Sequence, residues 1–286
     1  MSENLLWSPS DVPVQALGLM RLSPSDEDDR DPFALMREAL DMGVSLFDTA
    51  ELYGNEELVG KAIAGRRDEV TLCTKFGVII GESGDFDDWS VQADPASVHR
   101  SCEASLRRLG VDTIDLYYLH HRSDETPIED TVGAMAELVE AGKVRALGLS
   151  NVTVDDVRRA HAVHPIQAVQ EQWSLSSRGV EPMLPILAEL GITLVAHSPL
   201  GHGSLAAGAQ NEPLTEALAR VARGRSATAA QVALAWVHHQ GSRRGQPVVP
   251  LPGATRISRL RANIAASRIE LSPADLHLLD GATTPP

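Results

Sequence analysis

From Pro32 onward, short apolar runs alternate with longer stretches whose apolar residues recur about every 3.6 positions, the pattern of βα units that build a parallel sheet. The helical stretches are punctuated at both ends. Asp31-Pro32, Asp94-Pro95 and Ser272-Pro273 each read as an N-cap followed by proline at the first helical position. Gly43, Gly110, Gly142 and Gly191 follow the last periodic residue of a stretch, where a helix ends on a left-handed glycine. Strands are expected over 14–19, 45–48, 70–75, 114–120, 144–150, 168–172, 193–197 and 248–250. Helices fall between them, two within 212–239 and a last one after Ser272.

Eight strands alternating with helices, and no Ser/Gly/Pro linker or shift of composition, predict an α/β fold: a single (β/α)8 TIM barrel of parallel strands inside an outer ring of helices. Length alone, at about 150 residues per domain, would suggest two domains. The strand count instead assigns residues 1–286 to one barrel domain. No short-period repeat occurs beyond the βα unit.

A closed barrel predicts where chemistry sits, because the βα loops converge at the C-terminal ends of the strands. Strand two ends in Asp48, strand three in Lys75, strand four in His120, strand five in Ser150 and Asn151, strand six in Gln170 and Gln172, and strand seven in His197. An ammonium at the end of an apolar strand is costly to bury unpaired, and a carboxylate one strand away is its natural partner. Asp48 and Lys75 are therefore expected to form an ion pair. Tyr53, five residues after Asp48, can return over the barrel mouth to Lys75, and a nearby ammonium makes a phenol a better proton donor. His120 can share that hydrogen bond. Taken singly, Tyr53 is a packed aromatic and Asp48–Lys75 a structural pair; their placement at successive strand ends points to proton delivery. The neighbours His120 and His121 point to opposite faces of a strand, which argues against a shared metal.

Net charge is 25 − 39 = −14, so the field of the whole protein repels phosphodiester backbones and anionic membranes, and neither nucleic acid nor a membrane is expected as partner. Two cysteines, Cys73 and Cys102, sit in apolar segments and suit free thiols in a reducing compartment. The first residues carry no basic region followed by an apolar core, and no eighteen apolar residues run together, so a soluble, cytoplasmic protein is expected.

The segments GVSLFDTAELYGNEELVG, TLCTKFG, DLYYLHH, GLSN, AVQ, SPLG and PLPGATRISRLRAN, in this order from about Leu17 to Ala266, resemble the aldo-keto reductase superfamily of NADP(H)-dependent carbonyl reductases. The resemblance implies a catalytic tetrad of Asp48, Tyr53, Lys75 and His120, and hydride transfer to an aldehyde or ketone carbonyl with Tyr53 as general acid. It implies NADP(H) as cofactor. Ser150, Asn151 and Gln170 would hold the nicotinamide carboxamide, and His197 would stand at the ring. Ser198, Leu200 and Gly201 would serve the pyrophosphate. Gly253, Arg256, Arg259 and Asn263, around the start of a helix, would take the 2′-phosphate and adenine. Arg256 and Arg259, three apart, are expected on one helical face as a local basic cluster in an acidic protein.

Three positions depart from the family pattern. His197 stands where an aromatic residue usually stacks on nicotinamide, and a histidine there titrates near neutral pH unless its surroundings shift it. Ala262 precedes Asn263 where the family commonly has Glu. The segment from Gly201 to Glu212 is short, which implies an open cofactor site. The substrate pocket is expected to draw on Met20, Trp89, His121 and Trp173. The acidic stretch between Phe76 and Ala93, with Glu82, Asp85, Asp87 and Asp88, is expected to remain a solvated loop. The alternative activities are a cofactor-binding regulatory barrel with little turnover, or an isomerase or aldolase using Lys75 as a Schiff base. An Asp48-paired ammonium is the wrong state for the latter.

Overall fold

The computed structural model describes residues 6–8, 11–25, 27–81, 88–207 and 212–283. The chain runs β1 (Ala16–Gly18), α1 (Pro32–Asp41), β2 (Leu46–Asp48), α2 (Glu56–Ile63), β3 (Thr71–Phe76), then a hairpin of β4 (Val78–Ile80) and β5 (Trp89–Val91). It continues with α3 (Pro95–Leu109), β6 (Ile114–Leu119), α4 (Ile128–Glu140), β7 (Val144–Ser150), α5 (Val154–Val163), β8 (Ile166–Gln172) and α6 (Leu184–Leu190). Last come β9 (Thr193–His197), α7 (Ser204–Ala207), α8 (Glu212–Arg225), α9 (Ala229–Arg244), β10 (Val248–Leu251), α10 (Ile257–Ala266) and α11 (Pro273–Gly281).

Eight of these strands pair in parallel in the order β1-β2-β3-β6-β7-β8-β9-β10. A parallel bridge between Gly18 and Gly253, with Gly18 N donating to Pro252 O at 3.1 Å, joins the two ends of the sheet into a (β/α)8 barrel. They are the eight strands expected from the hydrophobic pattern, displaced by a residue or two at their ends. The expected caps are present: Asp31 accepts from Phe33 N at 2.9 Å, Asp94 from Ser97 N at 3.0 Å, and Ser272 and Asp275 form a reciprocal capping box. Gly43, Gly110, Gly142 and Gly191 all adopt positive φ.

Period-two alternation divides the apolar residues between two cores. Leu17, Phe47, Leu72, Tyr117, Leu147, Val169 and Leu194 point outward and pack against the helices. Ala16, Leu46, Cys73, Leu116, Ala146, Ala168, Val195 and Val249 point inward and fill the barrel. Cys73 and Cys102 are free and buried. At the N-terminal end of the barrel Trp7 joins the inner cluster, its indole Nε1 donating to Thr193 Oγ1 at 2.9 Å. That indole closes one end and leaves the other for chemistry.

The stretch between Phe76 and Ala93 differs from the expected solvated loop. Val78–Ile80 and Trp89–Val91 pair antiparallel, because β-branched and aromatic residues on both flanks suit a ribbon better than open coil. Glu82, Asp85 and Asp87 lie outside the described residues. The short connection after β9 begins with a turn at Gly201–Gly203 and the single turn of α7, in which Leu205 is buried; 208–211 lie outside the described residues. Among the described residues, no helix is long and apolar enough to cross a membrane.

Candidate active site

The inward alternation that fills the barrel with Leu46, Cys73 and Ala168 brings Asp48, Lys75 and Gln170, two residues further on, inward at the C-terminal rim. His120 follows the last residue of β6, its N donating to Phe76 O at 2.9 Å. Gly148 makes room for this layer: a Cβ there would come within 2.4 Å of the Tyr118 ring.

Lys75 is fully buried and ion-paired directly with Asp48 Oδ1. Its Nζ also donates to Thr49 O at 2.9 Å and to Tyr53 Oη at 3.5 Å, and stands 5.0 Å from the centre of the Tyr53 ring. Burial by itself would push this ammonium toward the neutral amine. The Asp48 charge and the Tyr53 oxygen outweigh burial and raise its pKa above 10.5, so Lys75 is a cation. Gln170 Nε2 donates to the other carboxylate oxygen, Asp48 Oδ2, at 2.9 Å. That contact makes Gln170 part of the support of the ion pair, a role its sequence position did not suggest.

Tyr53 is placed by local structure. Residues Glu51–Tyr53 form a 3-10 turn that ends on Gly54 at φ 66, a conformation that a glycine adopts without strain. Glu51 Oε1 pins this turn to the residue that follows β3 by accepting from Gly77 N at 2.7 Å. Asn55 ties it to the loop after β1: its Oδ1 accepts from Thr49 Oγ1 at 2.6 Å, and its Nδ2 donates to Leu19 O at 2.7 Å. The Tyr53 and His120 rings meet edge to face at 5.8 Å.

Two histidines at the rim are held neutral. Burial, then the Lys75 charge, then His197 and His121 push His120 from 6.5 down to about 3. Its Nδ1 is buried with no hydrogen-bond partner among the described residues. Burial, Lys75 and His202 push His197 down to about 4, so the expectation that it titrates near neutral pH is corrected. Its Nδ1 lies 3.1 Å from Ser198 Oγ.

The residues expected around a dinucleotide line up along the rim from β7 to α10. Ser150 is buried, and Asn151, at φ 53, spends its amide on His120 O at 2.9 Å and Ser150 Oγ at 3.1 Å. Glu171, which the sequence did not single out, accepts from Val152 N at 2.9 Å beside it. After β9, Ser198 at φ 48 starts a tight turn in which Gly201 N donates back to Ser198 O at 2.9 Å, with Leu200 half-buried between them. Asn263 is buried, its Nδ2 donating to the carbonyl of exposed Gly253 at 3.4 Å.

The basic cluster is arranged differently from the expectation. Arg256 is the N-cap of α10, with extended backbone, and so does not share a helical face with Arg259. Its guanidinium faces Asp29 at 3.4 Å and Glu27 at 3.5 Å. Arg259 is exposed and has no carboxylate partner among the described residues. The expected pocket residues separate into two groups. Met20 is exposed, and Trp89 stands on the hairpin with its ring 4.8 Å from that of His121. Trp173 is fully buried, packed on Trp236 and under the Arg244 guanidinium, which makes it part of the core.

The family model described as "Aldo/keto reductase family" matches residues 16–283. Among solved structures, an aldo/keto reductase from Klebsiella pneumoniae in complex with NADP and acetate is 31% identical, with a TM-score of 0.81 over 100% of this chain and 97% of that one. An aldo-keto reductase from the same organism in complex with NADPH is 32% identical, with a TM-score of 0.81 and the same coverage. The glycerol dehydrogenase AKR11B4 from Gluconobacter oxydans is 25% identical, with a TM-score of 0.84 over 99% of this chain and 95% of that one.

Proposed function

The chain belongs to the aldo/keto reductase family, and on that basis we propose that it reduces an aldehyde or ketone to the alcohol with NADPH, Tyr53 serving as general acid. One observation carries this: the buried ammonium of Lys75 lies between the Asp48 carboxylate and the Tyr53 hydroxyl. A lone structural ion pair would have no need of a phenol at its open end.

The residues present suit the cofactor. His120 Nδ1 is a buried polar atom without a protein partner among the described residues, and Asn151, its amide hydrogens already used, offers a ligand the acceptor Oδ1. With Ser150 and Gln170 these neutral groups fit an uncharged carboxamide. The turn from Ser198 to Gly201 would hold the pyrophosphate; Arg256, Arg259 and the N–H groups that open α10 would hold the 2′-phosphate, and Asn263 the adenine. When bound, NADPH supplies a hydride from nicotinamide C4 to the carbonyl carbon.

Tyr53 Oη gives its proton to the carbonyl oxygen as negative charge develops there, and the electron pair of the broken O–H bond stays on the phenolate oxygen. Lys75 Nζ, 3.5 Å away, is already a cation and stabilises that phenolate. Asp48, Thr49 O and Gln170 hold the ammonium and its carboxylate in place. His120, neutral throughout the physiological range, orients the carbonyl oxygen by hydrogen bonding rather than by charge. Met20, Trp89 and His121 form the wall a substrate meets.

The test is NADPH consumption, followed by its absorbance, against a panel of aldehydes, ketones and sugars. Turnover with at least one carbonyl is expected. Measurable NADPH binding with no turnover of any carbonyl would replace this proposal with a regulatory barrel.

A further inference from the structure

Glu171 lies in β8 between Gln170 and Gln172, whose side chains face the barrel interior, so its own side chain faces outward into the apolar layer. There it has no cationic partner among the described residues. A half-buried carboxyl without a cation is unusual, and what it does have is backbone: Val152 N donates to its Oε1 at 2.9 Å, and the neighbouring Asn151 N–H also favours the charged form. These two N–H groups belong to the turn between β7 and α5, in which Asn151 adopts φ 53 and reaches His120 O and Ser150 Oγ.

We propose that Glu171 is a positioning residue for the nicotinamide end of the site: its carboxylate holds the Asn151–Val152 turn, which presents Asn151 to the cofactor and ties it to the backbone of His120. This rests on the reading of Ser150, Asn151 and Gln170 as the carboxamide ligands. The carboxylate form is the better clamp, because it faces the two N–H groups with acceptors alone and offers no competing donor. Burial raises the Glu171 pKa to about 7 against the lowering effect of the Val152 and Asn151 N–H groups, and no charged side chain contributes. The carboxyl is therefore the charged clamp above that pH and gives way to the neutral acid below it.

The experiment measures NADPH affinity, steady-state kinetics and melting temperature for wild type, Glu171→Gln, Asn151→Gly and the double variant, above and below the Glu171 pKa of about 7. Asn151→Gly keeps the left-handed turn and removes only the side chain. Above that pH, Glu171→Gln is expected to weaken NADPH binding roughly tenfold or more, while its melting temperature holds or rises because the partly desolvated charge is gone. Below it, wild type should approach the variant. Asn151→Gly should reproduce the loss, and the double variant should add little to it. Unchanged NADPH affinity in Glu171→Gln at both pH values overturns the role of Glu171 and leaves the proposed function standing. A parallel loss of stability and affinity overturns it too, as the mark of a structural residue. Failure of wild type to bind NADPH overturns both.

Discussion

Asp29 sits on the amino terminus of α10: its Oδ1 accepts from Ser258 N at 3.0 Å and its Oδ2 from Ser258 Oγ at 2.9 Å. Those bonds, the backbone one first, lower its pKa below 3.8, so it is a carboxylate at neutral pH. The same carboxylate faces Arg256. An anion thus already holds the groups proposed for the 2′-phosphate, and the phosphate must compete with it. Asp29→Asn is expected to tighten NADPH binding roughly three- to tenfold and leave NADH unchanged, by fluorescence titration. Weaker NADPH binding in that variant would mean that Asp29 orients Arg256 rather than competing.

In the proposed mechanism Tyr53 Oη gives the proton beside the Lys75 cation. Tyr53→Phe keeps the ring and its packing against His120 but removes the proton. Turnover should fall by about 10²–10⁴-fold with NADPH affinity nearly intact. Full turnover by the purified variant would remove Tyr53 from its role.

Asp48 and Lys75 form a pair with side chains 3% and 1% exposed. Removing the carboxylate leaves a buried, uncompensated ammonium, so Asp48→Ala should destabilise the fold by about 3–5 kcal/mol. Replacing both, as Asp48→Leu with Lys75→Met, removes the charge as well as its partner and should recover much of that loss. Urea denaturation separates the two cases, and both variants should be inactive. A double variant as unstable as the single one would show that the hydrogen bonds to Thr49 and Gln170, rather than the charge, dominate.

His120, His197 and His238 are pushed, mainly by burial, to about 3, about 4 and about 4. The folded chain therefore refuses three protons that the unfolded chain takes up as pH falls below about 6.5. Stability is lost in that direction, by about 1.4 kcal/mol per histidine per pH unit. Glu171 acts oppositely: its raised pKa makes the folded chain the better proton acceptor between about 4.5 and about 7. For these four groups together the expectation is a loss of roughly 2–3 kcal/mol per unit below pH 6.5. His238→Gln, distant in sequence from the rim residues and paired with Gln15 at 3.2 Å, should remove one proton from the slope. A flat urea midpoint from neutral pH down to about 5 would contradict this.

Much of the molecule could be read before folding, because period and punctuation are local properties. The eight barrel strands and the three proline-marked caps follow from residues within a few positions of one another. The strand ends then identify Asp48, Lys75 and His120 as neighbours, since a closed parallel barrel brings all strand ends to one rim. The β4–β5 hairpin was hidden by the acidic residues between its strands, although Val78–Ile80 and Trp89–Val91 carried the signal.

What tertiary structure decided was environment. Trp173 belongs to the core only because Trp236 and Arg244 close over it. His197 is neutral only because the barrel buries it near Lys75. Arg256 lies off the helical face because α10 starts one residue later, and its charge is met by Glu27 and Asp29 from far along the chain. Glu171 gains its clamp only where β8 lies against the end of β7. The sequence by itself specified which elements form and which residue types reach the rim, since spacing along a chain fixes faces and ends. Burial, charge partners and the protonation states they impose depend on distances between segments remote in sequence, and only the folded barrel sets those distances.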